Sequence, residues 1–397
     1  MKTMKRNFFS MALLAGLTLC TVACSDDDNN GNGNGNNNGN DEGEITTLSG
    51  SITKDVTLEA GKTYKLSGEY IVEAGATLYI QEGVTIEAVY EEPIDYILVK
   101  QGAKIVAKGT ADKPIIMTSE KKEAGAWGGI HICGRAHTNA GGSTVSEIGN
   151  APYGGSDDND NSGVLQYIRL EYTGTALDPE HEANGISFYG VGSGTTVDHC
   201  QAYKGSDDGF EFFGGSVNVS HLVATSCSDD SFDWTEGWNG KGENLVAYQE
   251  PQETLGYDCD CLLECDNNGK DAAATPVAHP KLKNLILAGN GGSKQGIRLR
   301  AGTEVSIDGA KVCGKGQPIT VETVQTQNAL KNGTSKLNNM IVSGELVNLE
   351  KEAENQIYKH TDFIAEANKN TVNTNLTYAN FDAIKAECGW ITGSWVK

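Results

Sequence analysis

Apolar and polar positions alternate in short runs through most of this chain, with Gly, Asn and Asp separating one run from the next. Residues 56–58, 77–80, 84–87, 97–99, 104–107 and 115–118 are of this kind. A period of two puts one set of side chains on a buried face and the other outside, which predicts β-strands. Helical composition appears only near the end, at 365–370 and 381–388. Forty-nine Gly against eight Pro suits many short strands joined by tight turns.

An internal repeat turns these strands into an architecture. Val197-Asp198-His199-Cys200-Gln201-Ala202, then Ser206-Asp207-Asp208-Gly209-Phe210-Glu211-Phe212, returns as Val219-Ser220-His221-Leu222-Val223-Ala224, then Ser228-Asp229-Asp230-Ser231-Phe232-Asp233-Trp234, offset by 22 residues throughout. That period matches one coil of a β-solenoid, each coil stacking on the last at about 4.8 Å. Two strand types recur with variable loops. One reads Trp127-Gly128-Gly129-Ile130-His131-Ile132, Asn184-Gly185-Ile186-Ser187-Phe188, the two acidic copies, Cys261-Leu262-Leu263-Glu264-Cys265 and Gln295-Gly296-Ile297-Arg298-Leu299. The other falls at 164–170, 197–202, 219–224, 245–248 and 282–287. The expected fold is all-β: one right-handed parallel β-helix over 45–354, its core including Ile130, Ile186, Phe210, Phe212, Phe232, Trp234, Leu263, Ile297 and Leu299. Residues 355–397, with Trp390 and Trp395, read as a small, partly helical cap over the open end, a separate small binding domain being the alternative.

Gly109-Thr110-Ala111-Asp112-Lys113-Pro114-Ile115, Trp127-Gly128-Gly129-Ile130 and the later Asp-Asp-Gly-Phe and Gly-Ile-Arg-Leu-Arg strands resemble those of bacterial right-handed, pectin-lyase-like β-helix surface lipoproteins. The resemblance covers roughly residues 45–322; it implies the fold and leaves the activity unassigned.

The N-terminus reads as an export signal over residues 1–23. Lys2, Lys5 and Arg6 precede a mostly apolar run from 8 to 23, too short and too interrupted to be preferred as a membrane span. Thr21-Val22-Ala23-Cys24 resembles a lipobox, with Thr21 where Leu is usual; lipidation of Cys24 is expected, an ordinary signal leaving a free thiol being the alternative. Residues 24–44, Ser25-Asp26-Asp27-Asp28 and then an Asn/Gly tract, have almost nothing to bury and read as a disordered tether. An acidic run behind the lipidated cysteine resembles the tag that takes some lipoproteins to the outside of the outer membrane, against the plainer reading of a soluble spacer.

The formal charge is −22, and removing the signal takes three basic residues and no acid. Such a surface repels nucleic acid, and anionic glycans too unless a cation bridges them. Of ten Cys, eight lie beyond residue 24. Export permits disulfides, but single buried thiols suit Cys133, Cys200 and Cys313 at least as well. Cys259, Cys261 and Cys265 lack zinc-site spacing, and oxidation is their simpler expected fate.

Alternation places Glu211 between inward Phe210 and Phe212, and Asp233 between Phe232 and Trp234. Stacking the coils then gives an outward column of His131, Ser187, Glu211, Asp233, Glu264 and Arg298. Adjacent carboxylates about 5 Å apart need a bridging Ca²⁺, protonation, or screening by solvent. A second column, Asp207 and Asp208 below Asp229 and Asp230 with Asp260 above, sits in the turns entering the same strands. Asp turns also stack for stability alone, through bonds to neighbouring amides. Ser-Asp-Asp-Gly-Phe-Glu-Phe resembles the calcium-binding turn of family-nine polysaccharide lyases, which implies Ca²⁺ at Asp207, Asp208, Asp229, Asp230 and Asp233. The lysine base of those enzymes is not marked by a motif; Lys241, Lys270 and Lys294 are the candidates.

Trp238, Tyr248 and Tyr257 follow the acidic strands in Gly-rich sequence, as sugar platforms or as core plugs. Arg298 and Arg300 alternate with Ile297 and Leu299 and offer bidentate bonds to a ligand carboxylate. No Gly-rich phosphate loop between strand and helix and no GxSxG elbow is present. The reading is an outer-membrane surface lipoprotein whose body binds carbohydrate or another extracellular ligand, through His131, Glu211, Asp233, Trp238, Glu264, Arg298 and Arg300, with Ca²⁺ assisting. A calcium-dependent polysaccharide lyase and an adhesive or structural surface protein are the alternatives.

Overall fold

The computed structural model describes residues 46–397 apart from Glu92, Ser143, Pro179 and Glu180. The signal, Cys24 and the tether lie outside the described residues. Strands two to four apart in chain order pair in parallel, giving a continuous 24-stranded arrangement, a right-handed β-helix. Each regular coil pairs a short strand with a longer one: Ile186–Tyr189 with Thr196–Tyr203, Phe210–Phe213 with Asn218–Thr225, Phe232–Thr235 with Lys241–Tyr248, Leu263–Cys265 with Lys281–Ala288, Gln295–Leu299 with Ser306–Cys313. Among the described residues no helix is long and apolar enough to cross a membrane.

Alternation on the short strands builds the core. Phe210 stacks on Phe232 (5.4 Å between rings) and Phe188 on Phe212 (5.1 Å), and every core residue expected above is at most 2% exposed. The long strands break alternation, because each contains one left-handed residue: His199, His221, Asn244, Asn284, Gly309 and Asn339 in successive coils, at φ between 53° and 83°. Each turns its strand, so that Val219 and Leu222, three apart, both enter the core.

The outer face beyond this bend is itself apolar. Val223, Val246 and Ile286 are buried beneath Ile384, Ile391, Trp395 and Val396. The C-terminal segment thus does more than close the solenoid. Tyr358 and Phe363 join the core, and helix Phe381–Cys388 with the residues after it runs back over this face. Arg169 Nη1 meets Ser394 O at 2.7 Å, and the Lys397 amide donates to Gln201 Oε1 at 2.8 Å.

Candidate functional site

The short strands carry their outward residues in register. His131 pairs with Ser187, Ser187 with Glu211, Glu211 with Asp233, Asp233 with Glu264 and Glu264 with Arg298. One column therefore contains every outward position expected from the repeat, but it is not uniformly open.

Residues 134–162 fold over its first half. Gln101 Nε2 donates to Gly134 O and Gly154 O at 2.7 and 2.8 Å, and Asn139 Nδ2 donates to Asn267 Oδ1 and Pro276 O, both at 2.9 Å. Ile148, Ala151 and Tyr153 pack on Cys133, Tyr189 and Phe213. His131 and Ser187 are consequently fully buried, which corrects the expectation that His131 faces a ligand. The imidazole lies between Tyr96 and Tyr189, its Nε2 2.6 Å from Gly128 O, and burial takes its pKa down to about 4.

The second half, Glu211, Asp233, Glu264 and Arg298, stays partly exposed. Its far end is neutralised. Arg298 contacts Glu264 at 3.1 Å and Glu322 at 2.9 Å, while Arg300 holds Asp266 at 2.7 Å and also Glu264. Both arginines are thus already engaged by this chain's own acids.

The acidic turns are linked from coil to coil. Asp208 Oδ1 accepts the Asp230 amide at 2.8 Å and Asp230 Oδ1 the Cys261 amide at 2.5 Å, so these two link turn to turn as a stacked-turn ladder does. Asp207 and Asp229 approach Glu182, and Asp229 also lies close to Asp208 and Asp230. Ligand oxygens of Asp208, Glu211 and Asp233 lie within 4.8 Å of one another, and so do those of Glu182, Asp207 and Asp229. Burial, and then the neighbouring carboxylates, push Asp208, Glu211, Asp230 and Asp233 well above the usual carboxylate range, and Asp207 up to about 8. Asp233 Oδ1 is buried without a hydrogen-bond partner. Carboxylate oxygens converging from adjacent coils are the type of donor that a hard divalent cation takes.

Asn184 is a site residue that the sequence reasoning missed. Its Nδ2 donates to Glu211 Oε2 at 2.6 Å and to Ser187 Oγ at 3.1 Å. The signal was there: Asn184-Gly185-Ile186 occupies the place of Asp208-Gly209-Phe210 one coil later. Glu182 was also missed; it precedes the repeat and carries no periodic mark.

Other expected site residues lie elsewhere. Trp238 is 1% exposed, stacked on Phe212 at 4.1 Å with Nε1 donating to Val217 O; it is a core plug, because its coil needs a large ring above Phe212. Tyr248 packs on Phe381 beneath the C-terminal helix, and the Tyr257 hydroxyl donates to Ser226 O at 2.7 Å. Lys241 opens a long strand, paired with Lys281 on another face, and Lys270 is exposed near Glu236. Lys294 is at the acidic turns but holds Asp260, a hydrogen bond that raises its pKa and keeps it protonated. The described cysteines, Cys259, Cys261 and Cys265 among them, are free thiols rather than the expected oxidised set; Cys265 is committed to the core stack.

A parallel β-helix presenting an acidic strip beside a neutralised arginine end defines the class of this protein. The chain belongs to the pectate-lyase-like β-helix domain family, whose profile matches residues 50–397. No curated protein matches the sequence.

Proposed function

We propose that the protein is an outer-membrane surface lipoprotein, anchored through Cys24, that binds carbohydrate along the strip of Glu211, Asp233, Glu264 and Arg298. A divalent cation such as Ca²⁺, held by Asp208, Glu211 and Asp233, assists it. The observation that carries this reading is the convergence of those three carboxylates with Asp233 Oδ1 unpartnered. A cation there supplies the positive charge that lets an acidic surface accept hydroxyl or carboxylate groups of a glycan. The family match to a pectate-lyase-like domain supports a carbohydrate ligand.

Binding is favoured over cleavage. A lyase needs an unprotonated base beside the cation, and Lys294, Arg298 and Arg300 at the strip are each engaged with acids. Calorimetry with CaCl₂, then with pectin, polygalacturonate and neutral polysaccharides with and without Ca²⁺, tests the proposal. Ca²⁺ binding should weaken at least about 30-fold, roughly 2 kcal/mol, in the Glu211→Gln, Asp233→Asn double variant. Absence of Ca²⁺ binding in the parent leaves only the stacked-turn role. Absorbance of unsaturated products identifies a lyase instead, and no glycan interaction points to an adhesive or structural role.

Anchoring has its own test. Cys24→Ala should move the protein from the outer-membrane fraction to the soluble fraction and abolish fatty-acid labelling. Unchanged membrane association defeats the lipid anchor.

A further inference from the structure

The left-handed residues of the long strands stack into a second column, on the opposite side of each strand unit from the core. Its order is Tyr167, His199, His221, Asn244, Asn284, Gly309 and Asn339, all at positive φ. The rings stack, Tyr167 on His199 at 4.4 Å and His199 on His221 at 4.3 Å. The amides continue: Asn244 Nδ2 meets His221 Nε2 at 3.0 Å, and Asn284 Nδ2 donates to Asn244 Oδ1 at 3.3 Å. The ladder then breaks. Gly309 has no side chain to continue it, and beyond the gap Asn339 donates instead to Asp308, at 2.5 Å. A Cβ at 309 lies 3.5 Å from Asn284 Oδ1, so that acceptor faces the gap.

The gap opens into a groove of about 320 Å³ between the ladder and the C-terminal helix. Val246, Ile286 and Ala310 give it an apolar floor, and the partly exposed Trp390 indole, edge-on to His221 at 4.9 Å, forms one wall. Lys311 at the rim is neutralised by Glu387 at 2.7 Å, whose other oxygen accepts the Tyr378 hydroxyl at 2.9 Å. The groove thus combines paired amide donors and acceptors, an aromatic wall, an apolar floor and no net charge. Those features match a ligand with apolar C–H faces and neutral hydroxyls, and its size is at the lower end for small-ligand sites.

We infer that the groove between Gly309 and Trp390 is a second binding site, for a neutral saccharide of one or two rings, with Asn284 and Asn339 bonding hydroxyls and Trp390 covering a sugar face. It is separate from the acidic strip and needs no cation. The residue that opens it also supplies the test. Asn is the L-residue that best tolerates left-handed backbone, and the added Cβ makes only an ordinary contact. Gly309→Asn should therefore fold, complete the ladder and fill the site.

Calorimetry in EDTA, which removes any contribution from the cation site, should detect binding of at least one of cellobiose, maltose, mannobiose and N,N′-diacetylchitobiose. Gly309→Asn should weaken that binding at least tenfold while the protein still melts cooperatively, and Trp390→Ala should weaken it comparably. The Trp390 variant decides the matter should Gly309→Asn not fold. No binding of these disaccharides to the parent, or undiminished binding in a folded Gly309→Asn protein, overturns the inference and leaves the acidic strip untouched.

Discussion

Phe210→Asp should leave no cooperatively folded protein at 37 °C. Phe210 is fully buried, stacked on Phe232 and paired in register with Ile186 on the coil before. Truncating a buried Phe costs about 3–5 kcal/mol through lost burial and the cavity left behind. The aspartate adds a charge with no partner among Ile186, Phe212 and Phe232, or the cost of protonating it. Together these approach the whole stability of an ordinary domain, about 5–15 kcal/mol. In a solenoid the damage also spreads, because each coil is held by its neighbours. Circular dichroism and limited proteolysis check the outcome, with Phe210→Leu as the comparison that keeps an apolar side chain and should fold with a lowered melting temperature. A Phe210→Asp protein that melts like the parent sinks the stacked-core account.

In EDTA the melting temperature should fall as pH rises from about 5 to about 8, and Ca²⁺ should restore it at pH 8 far more than at pH 5. Asp207 is raised to about 8, and Asp208, Glu211, Asp230 and Asp233 are raised well above the usual value, by burial first and by one another second. A carboxyl whose folded pKa exceeds its unfolded one holds more protons when folded. Its stabilising contribution is complete below the unfolded value near 4 and is lost as pH climbs through the folded value. The loss should be on the order of 5 °C across that window. Protons compete with a cation for these oxygens less at pH 8 than at pH 5. Differential scanning calorimetry at both pH values with EDTA and with CaCl₂ reads the result. A melting temperature that rises from pH 5 to pH 8 in EDTA, or an equal Ca²⁺ effect at both, removes the basis for the cation site.

The repeat made the fold and the site column legible. Phe210-Glu211-Phe212 and Phe232-Asp233-Trp234 state their own facing and, through their offset, their pairing, so the alignment of Glu211 with Asp233 follows from sequence alone. Asn184 was legible by the same logic, as the neutral member of the Asp208 and Asp230 series. The triplets Leu222-Val223-Ala224, Leu245-Val246-Ala247 and Leu285-Ile286-Leu287 carried an unread message: with no polar member they belong to strands buried on both sides. Their outer cover is the C-terminal segment, and the simple picture of an end cap left no partner for them.

The sequence by itself determined the parallel β-helix, the core side chains and the order of the acidic column, because contacts between successive coils join residues about one period apart and leave a periodic mark. Only the tertiary structure decided which parts of that column reach solvent, that Trp238 is core and that Gly309 opens a groove under Trp390. Those outcomes depend on residues 134–162 and on the C-terminal segment, which meet the coils across separations as large as the 282 residues between Asp112 and Ser394. Contacts of that kind occur once in the chain, so no repetition announces them; they form because an apolar outer face must be covered, and which segment covers it is settled by reach and shape in three dimensions.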